Sequence, residues 1–419
     1  MKHSDQLRAL LSRGELLSSR EIAKRTGISQ STVSRTLSGM ADAILIGAGR
    51  SARFGLVRQI GNHGASWPVY RVAESGVVEK LGTLRALAGD FWLMKFISNE
   101  PLYSLGLKNG ISEGWPWFLD ELRPQGFMGR AFAQKYHRQL GVPADLNRWG
   151  SDEFLLTSYI FGDDLPGNLM VGEHPIRVPE SINESDWPEL AKESVKGRPP
   201  GSSAGGERPK FSAGLELVKF ARRDDQKGRW ADLLAAESTA SEILREHGIP
   251  SPASRIVEVD DWVFLAVRRF DRTHQGGRVG VHTLAAIDGN LYGEGSGSWA
   301  DVADKLYLDG LISPSDQDRI QQVWDFGRAI RNTDMHFGNL GFHPTGGSGF
   351  KIAPIYDMLP MAYAPNAAGI PEFEPATGPF HGVRAETMAI EFWKRLTLDS
   401  RLSESFRSIA RRHLLDMSA

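Results

Sequence analysis

Residues 18–40, SSREIAKRTGISQSTVSRTLSGM, leave the chain little freedom in what it can build locally. Ser18 and Glu21 have the spacing of an N-cap and its third helical residue, a capping box that satisfies amides otherwise left open at a helix start. Ile22 and Ala23 then face inward, and Gly27 supplies a tight turn. Ser29 caps a second helix, whose Val33 and Leu37 return to the same small core. The pattern is a helix-turn-helix. On its second helix Gln30, Ser31, Thr32, Ser34 and Arg35 are exposed near the amino-terminal half, where such a helix meets base edges in a major groove. A helical hairpin used only for packing or dimerisation is the competing reading.

Charge bears on that choice. The chain carries 49 Lys and Arg against 51 Asp and Glu, but residues 1–75 hold 11 basic and 5 acidic residues, against 38 and 46 in the remainder. A basic head precedes an acidic body, and clustered positive charge on a small module is the electrostatic footprint of nucleic-acid binding. Past the second helix, Leu56 to Ile60, the turn Gly61, Asn62, His63, Gly64 and the apolar run Trp67 to Val72 predict a β-hairpin wing. Residues 1–75 then form a winged helix-turn-helix domain. Arg53, Arg58 and Arg71, on or beside that wing, can meet phosphates or be ordinary solvated strand residues.

Single cores rarely grow beyond about 250–300 residues, so 419 residues should divide into two or three domains. The absence of Cys excludes disulfide frameworks, Cys-ligated zinc, iron–sulfur clusters and thiol catalysis, and fits a reducing cytosol. The amino terminus lacks the apolar core of a signal peptide, and no run of about 18 apolar residues spans a membrane. The expected location is cytoplasmic.

After Gly76, VVEKLGTLRALAGDFWLMKF reads as paired strands turning at Gly89-Asp90. Helical periodicity follows Pro124, with Phe127, Ala131 and Tyr136 on one side, and FLLTSYIFGDDLPGNLMVG reads as helix, loop and strand. The pair Asp163-Asp164 reads as a turn without chemistry. Residues Glu173 to Pro209 are polar and rich in Pro, Gly and Ser, the composition of a flexible linker. Their end, KGRPPGSSAGGERPKF, precedes the strand-like LELVKF, and a Gly-rich loop beside a strand can cradle phosphate with its amides.

The densest cluster follows the amphipathic helix RIQQVWDFGRAI, in which Ile320, Val323, Trp324 and Ile330 pack inward. In RNTDMHFGNLGF, Asp334 and Asn339 stand five positions apart in a loop; Asp357 follows 23 residues after Asp334, within FKIAPIYDMLP. Phosphoryl transfer needs a carboxylate beside the acceptor hydroxyl, oxygen ligands for Mg²⁺ and a cation near the nucleotide phosphates. Asp334 can orient or deprotonate the hydroxyl, Asn339 and Asp357 can offer hard oxygen ligands, and Lys219 can reach phosphate. Glu237, on the helix ADLLAAESTASEILREHG, is placed to pair with Lys219. His336 opens a metal or nuclease alternative, but without HExxH a zinc hydrolase is disfavoured.

Residues from about 76 to 419 resemble the HipA family of toxin-like serine/threonine kinases, and the attached head makes the chain similar to the YjjJ branch of that family. The resemblance rests on FLDELRPQG (118–126), SSAGGERPKF (202–211), LVKF (217–220), AVRRFDR (266–272), NTDMHFGN (332–339) and IYDMLP (355–360). It implies an α+β, two-lobed, protein-kinase-related fold that binds ATP and Mg²⁺, with 76–265 as a β-rich subdomain carrying the Gly-rich loop and 266–419 as a helical subdomain. By motif position Lys219 contacts ATP phosphate, Asp334 is the catalytic base, and Asn339 and Asp357 hold metal. Arg268, Arg269 and Phe270 lie along the adenine hinge, and Ser202, Ser203, Ala204 and Gly205 form the phosphate loop. Autophosphorylation of Ser202 or Ser203 would eject that loop and stop activity. The sequence departs from the family at Gly206, Glu207, Arg208 and Pro209, where Gln and Lys are common, and at Arg268, where an acidic residue is usual.

The leading expectation is an ATP- and Mg²⁺-dependent protein kinase that acts as a toxin or growth regulator and carries its own DNA-binding head, so that no separate antitoxin is needed to reach DNA. Family resemblance places its protein substrate in the translation machinery, and a homodimer would suit half-site recognition. Two alternatives stand beside it: a DNA-binding regulator whose kinase body is inactive or senses nucleotide, and a metal-dependent DNA-cleaving toxin.

Overall fold

The computed structural model describes residues 2–196, 208–366, 368–374 and 383–418. Its head begins with α1 (Lys2–Leu11), α2 (Ser19–Thr26) and α3 (Gln30–Ser38). The capping box forms as expected: the Ser18 hydroxyl accepts from the Glu21 amide, and the Glu21 carboxylate accepts from the Ser18 amide at 2.8 Å. Gly27 ends α2 at φ 72°, a left-handed conformation that glycine adopts without a Cβ penalty, and the Ser29 side chain caps α3. Ile22, Val33 and Leu37 close a core with Leu7, Leu11 and Phe54.

The wing is not where the sequence reading put it. It is the antiparallel pair β1 (Ala43–Ile46) and β2 (Arg53–Leu56), turned by Gly47 and Gly49 at positive φ. Residues 57–65 form no strand. Trp67 to Val72 fall in β3 (Ser66–Val72), which pairs along its length with β4 (Val78–Leu87). The tight turn at Gly76, closed by Ala73 N–H to Val77 O, sets this pairing, so β3 belongs with the residues after 75 and not with the head. Arg71 accordingly faces Glu79 and Glu100. Arg58 forms a bidentate pair with Asp152 at 2.5 and 2.6 Å and donates to Leu87 O, so it joins the head to the middle of the molecule and is not a free phosphate contact.

β5 (Phe91–Phe96) and β6 (Ile111–Glu113) extend the middle sheet, followed by α4 (Gly126–Leu140), α5 (Ser151–Phe161) and β7 (Leu169–Val171). The strand order is β6-β5-β4-β3-β7. On α4, Phe127 and Ala133 are buried, whereas Ala131 and Tyr136 are only half-buried. The expected linker contains α6 (Trp187–Val195), whose Pro188 suits a first turn and whose Trp187 is fully buried against Phe211 and Phe264.

The next sheet runs β10-β11-β9-β8, from β8 (Lys210–Ala213), β9 (Glu216–Arg222), β10 (Ser254–Val259) and β11 (Trp262–Arg268). One face carries the Trp187 cluster and the other is covered by α7 (Arg229–Glu246), between β9 and β10 in sequence, whose residues 229–241 are all buried. β12 (His282–Thr283), α8 (Leu284–Leu291), α9 (Trp299–Leu308) and α10 (Pro314–Ala329) lead to the hairpin β13 (Gly341–Pro344) and β14 (Phe350–Ile352). α11 (Val383–Leu398) and α12 (Glu404–Ser418) pack on each other, with α11 also against α10 and α7, and Phe326, Phe392, Trp393 and Phe406 lie in one core. The mixed helix and sheet class is as expected. No described helix is long and apolar enough to cross a membrane.

Candidate active site

A cavity of about 680 Å³ lies where the β8–β11 sheet, the loop before β13 and the middle region meet. Lys219, Glu237, Asp334, Asn339 and Asp357 all line it. Lys219 is presented by the central strand β9, and its ammonium donates to Glu237 Oε1 and to Asp357 Oδ1, each at 2.5 Å. Lys219 and Asp357, 138 positions apart, are thus joined directly by one hydrogen bond. Burial works against the Lys219 ammonium, but the two carboxylates outweigh it and hold its pKa above the ordinary lysine value. Burial likewise opposes ionisation of Asp357, yet Lys219 brings its carboxyl down to about 2. Burial dominates at Glu237 and raises it; its Oε2 is buried without a hydrogen-bond partner among the described residues.

Asp357 sits at φ 54°, a left-handed conformation uncommon for a non-glycine residue and typical of functional turns. It is held there in part by Asn332, whose Nδ2 donates to Asp357 O and whose Oδ1 accepts from the Asp334 amide. The sequence reading does not single out Asn332, whose side chain makes an Asx turn by accepting from the backbone amide two residues on. Asn339 donates its amide nitrogen to Asp334 O at 2.8 Å, which leaves its amide oxygen as the end available to a ligand. Asn339 oxygen and the ionised Asp357 are hard donors that suit Mg²⁺. His336 is exposed and uses Nδ1 to accept from the Gly338 amide, a capping role.

Arg268, Arg269 and Phe270, expected along an adenine hinge, line the same cavity. The amides of Arg268 and Arg269 are already donated to Ala253 O and Leu215 O, leaving that of Phe270 for a ligand. Phe270 stacks on Tyr356 with ring centroids 5.8 Å apart. The Arg269 side chain turns to Asp164 and Asp271, and Arg272 binds the same two carboxylates. Asp164, which the sequence offered only as a turn, thus ties the middle region to the hinge. Ser202, Ser203, Ala204 and Gly205 lie outside the described residues. In the head, Gln30, Ser31 and Arg35 are exposed on α3, with Thr32 and Ser34 half-buried; Arg53 on β2 is half-buried and donates to Ala52 O.

A family model described as the HipA-like C-terminal domain matches residues 202–415, and one described as the middle domain of YjjJ-like toxins matches 63–178. A MarR family model matches residues 1–53. The curated protein Toxin YjjJ of Escherichia coli (strain K12) is 33% identical over 420 residues, spanning 93% of this chain and 92% of that protein. The chain belongs to the YjjJ-like branch of the HipA-like toxins. The chain thus joins a MarR-type helix-turn-helix, a YjjJ-like middle domain and a HipA-like C-terminal domain. HipA from the HipA, HipB and operator DNA complex of Shewanella oneidensis MR-1 shares the fold of this YjjJ-like chain, with a TM-score of 0.56 and 16% identity over 83% of this chain and 95% of that one.

Proposed function

We propose that this HipA-like toxin is an ATP- and Mg²⁺-dependent protein serine/threonine kinase of the cytoplasm that binds DNA through its own head. The observation that carries the kinase reading is the Lys219, Glu237 and Asp357 network beside Asp334 and Asn339 in one cavity. When bound, ATP and Mg²⁺ supply the transferable phosphoryl group and the neutralising charge. Glu237 holds Lys219 in place to meet the phosphates. Asp357 and Asn339 are the residues that would hold the metal. Asp334 would accept the proton of the acceptor hydroxyl as that oxygen bonds to the γ-phosphorus and the bond to the bridging oxygen breaks, with ADP leaving, and the Phe270 amide and the Tyr356 ring would receive the base. The exposed Gln30, Ser31 and Arg35 support DNA contact by α3.

Labelled γ-phosphate supplied to the full chain with cell extract tests this reading. Transfer to a protein acceptor that disappears in Asp334→Ala supports it. Nucleotide binding without transfer favours a sensing regulator instead, and metal-dependent DNA nicking without ATP favours a nuclease.

A further inference from the structure

The family motif at 118–126, FLDELRPQG, has no role in the account above, yet Glu121 and the segment Arg123 to Gly126 line the cavity. Trp117, Phe118, Leu119 and Leu122 are buried and fix a short helical turn, with the Trp117 indole donating to Leu105 O. From that turn Glu121 crosses to the body, where its Oε1 accepts from the Thr283 amide at 2.8 Å. Glu121 and Thr283 both line the cavity, alongside Phe270 and Tyr356. Thr157, fully buried on α5, lines it too, and its hydroxyl has no hydrogen-bond partner among the described residues. The middle domain therefore presents unused polar capacity to a cavity otherwise walled by the kinase-like body.

We propose that Glu121 is a ligand-binding residue of the nucleotide site, its carboxylate accepting hydrogen bonds from donor groups of the bound nucleoside. The inference rests on the nucleotide-binding reading above and extends the site to the middle domain. A carboxylate beside stacked aromatic rings suits a nucleoside, which brings both a flat face and hydroxyl or amino donors. Around Glu121, Asp120 repels its ionised form and Arg123 favours it, while Thr283 donates to it and the buried Tyr356 lies within its electrostatic reach. Burial is the largest influence and pushes the Glu121 carboxyl up to about 7. A ligand that donates to the carboxylate favours ionisation, so binding near neutral pH should release a proton.

Calorimetry of ATP with Mg²⁺ binding to the full chain, run at pH 7 in buffers of different ionisation enthalpy, counts that proton. Wild type should release about half a proton more per site than Glu121→Gln, and the variant should bind about tenfold more weakly. Gln keeps an oxygen for the Thr283 amide, so a structural role alone would leave the proton count unchanged. Adenosine triphosphate analogues lacking the 2′-hydroxyl or the 6-amino group separate the two donor sources: the one whose loss abolishes the proton release is the partner. Equal proton counts in wild type and variant, or proton uptake, would overturn the proposal while leaving the kinase reading intact. Failure of ATP to bind either protein would overturn both.

Discussion

Two buried ionic clusters face the same cavity, and they are built differently. In the hinge cluster Asp271 is enclosed by Arg269, Arg272 and the Gly167 amide, so each charge has a partner of opposite sign. Burial opposes the Asp271 carboxylate, and the arginines still bring its pKa below the usual range. In the Lys219 cluster one ammonium serves two carboxylates, Glu237 retains an unpartnered oxygen, and Asp357 keeps 30% of its side chain accessible. The first arrangement pairs Asp164 and Asp271 with Arg269 and Arg272 and holds three segments together. The second leaves a carboxylate oxygen of Glu237 without a hydrogen bond among the described residues and part of Asp357 open to the cavity, although Lys210 adds a second positive charge that acts on both carboxylates. Buried charge alone does not mark a site; what marks it is the part left unsatisfied.

Substitutions can break this contrast. Asp357→Asn should reduce phosphoryl transfer by on the order of 10³-fold with little loss of fold, measured as initial rate of labelled phosphate transfer. Because Asp357 is held at about 2, below a free aspartate, its pairing stabilises the fold above about pH 4 and is lost as pH falls towards 2. The Asn variant should lose that portion of the acid dependence in thermal melts. Asp271→Ala should do the reverse, destabilising the protein by about 3 kcal/mol because it leaves two buried arginines with only the half-exposed Asp164 between them. A denaturation midpoint unchanged by this substitution would erase the distinction between the clusters.

Smaller effects sharpen the comparison at the head. Arg35→Ala should weaken binding to duplex DNA by about 1–2 kcal/mol and leave nucleotide binding unaltered, as read by gel shift and calorimetry. Arg58→Ala should leave DNA affinity at matched salt unchanged and cost less than about 1 kcal/mol of stability, since its pair with Asp152 is partly solvent-exposed. A loss of DNA affinity equal to that of Arg35→Ala would restore Arg58 to the DNA surface.

Legibility in the sequence followed the range of the interactions. The capping box, Gly27 and Ser29 act within a few residues, and α2 and α3 were readable from them alone. The wing was misplaced because two glycine turns, at 61–64 and at Gly76, competed for Trp67 to Val72, and only the neighbouring strand β4 decides between them. Helix α6 was hidden by the composition around it, although Trp187, Ala191 and Val195 repeat every four residues. At the site, residue types and order were enough to nominate Lys219, Glu237, Asp334, Asn339 and Asp357. Glu121 and Asp164 were not nominated, because nothing local links the middle domain to a cavity assembled by residues more than a hundred positions away.

Intact-mass spectrometry of the full chain after incubation with ATP and Mg²⁺, in wild type and Asp334→Ala, tests the central claim of a phosphoryl-transfer cleft most directly. The account predicts phosphate on the wild type, mapping to Ser202 or Ser203, and none on the variant. Equal phosphate on both proteins would contradict it, whereas wild type without added phosphate would remove self-phosphorylation of the loop and pass the decision to transfer onto other proteins.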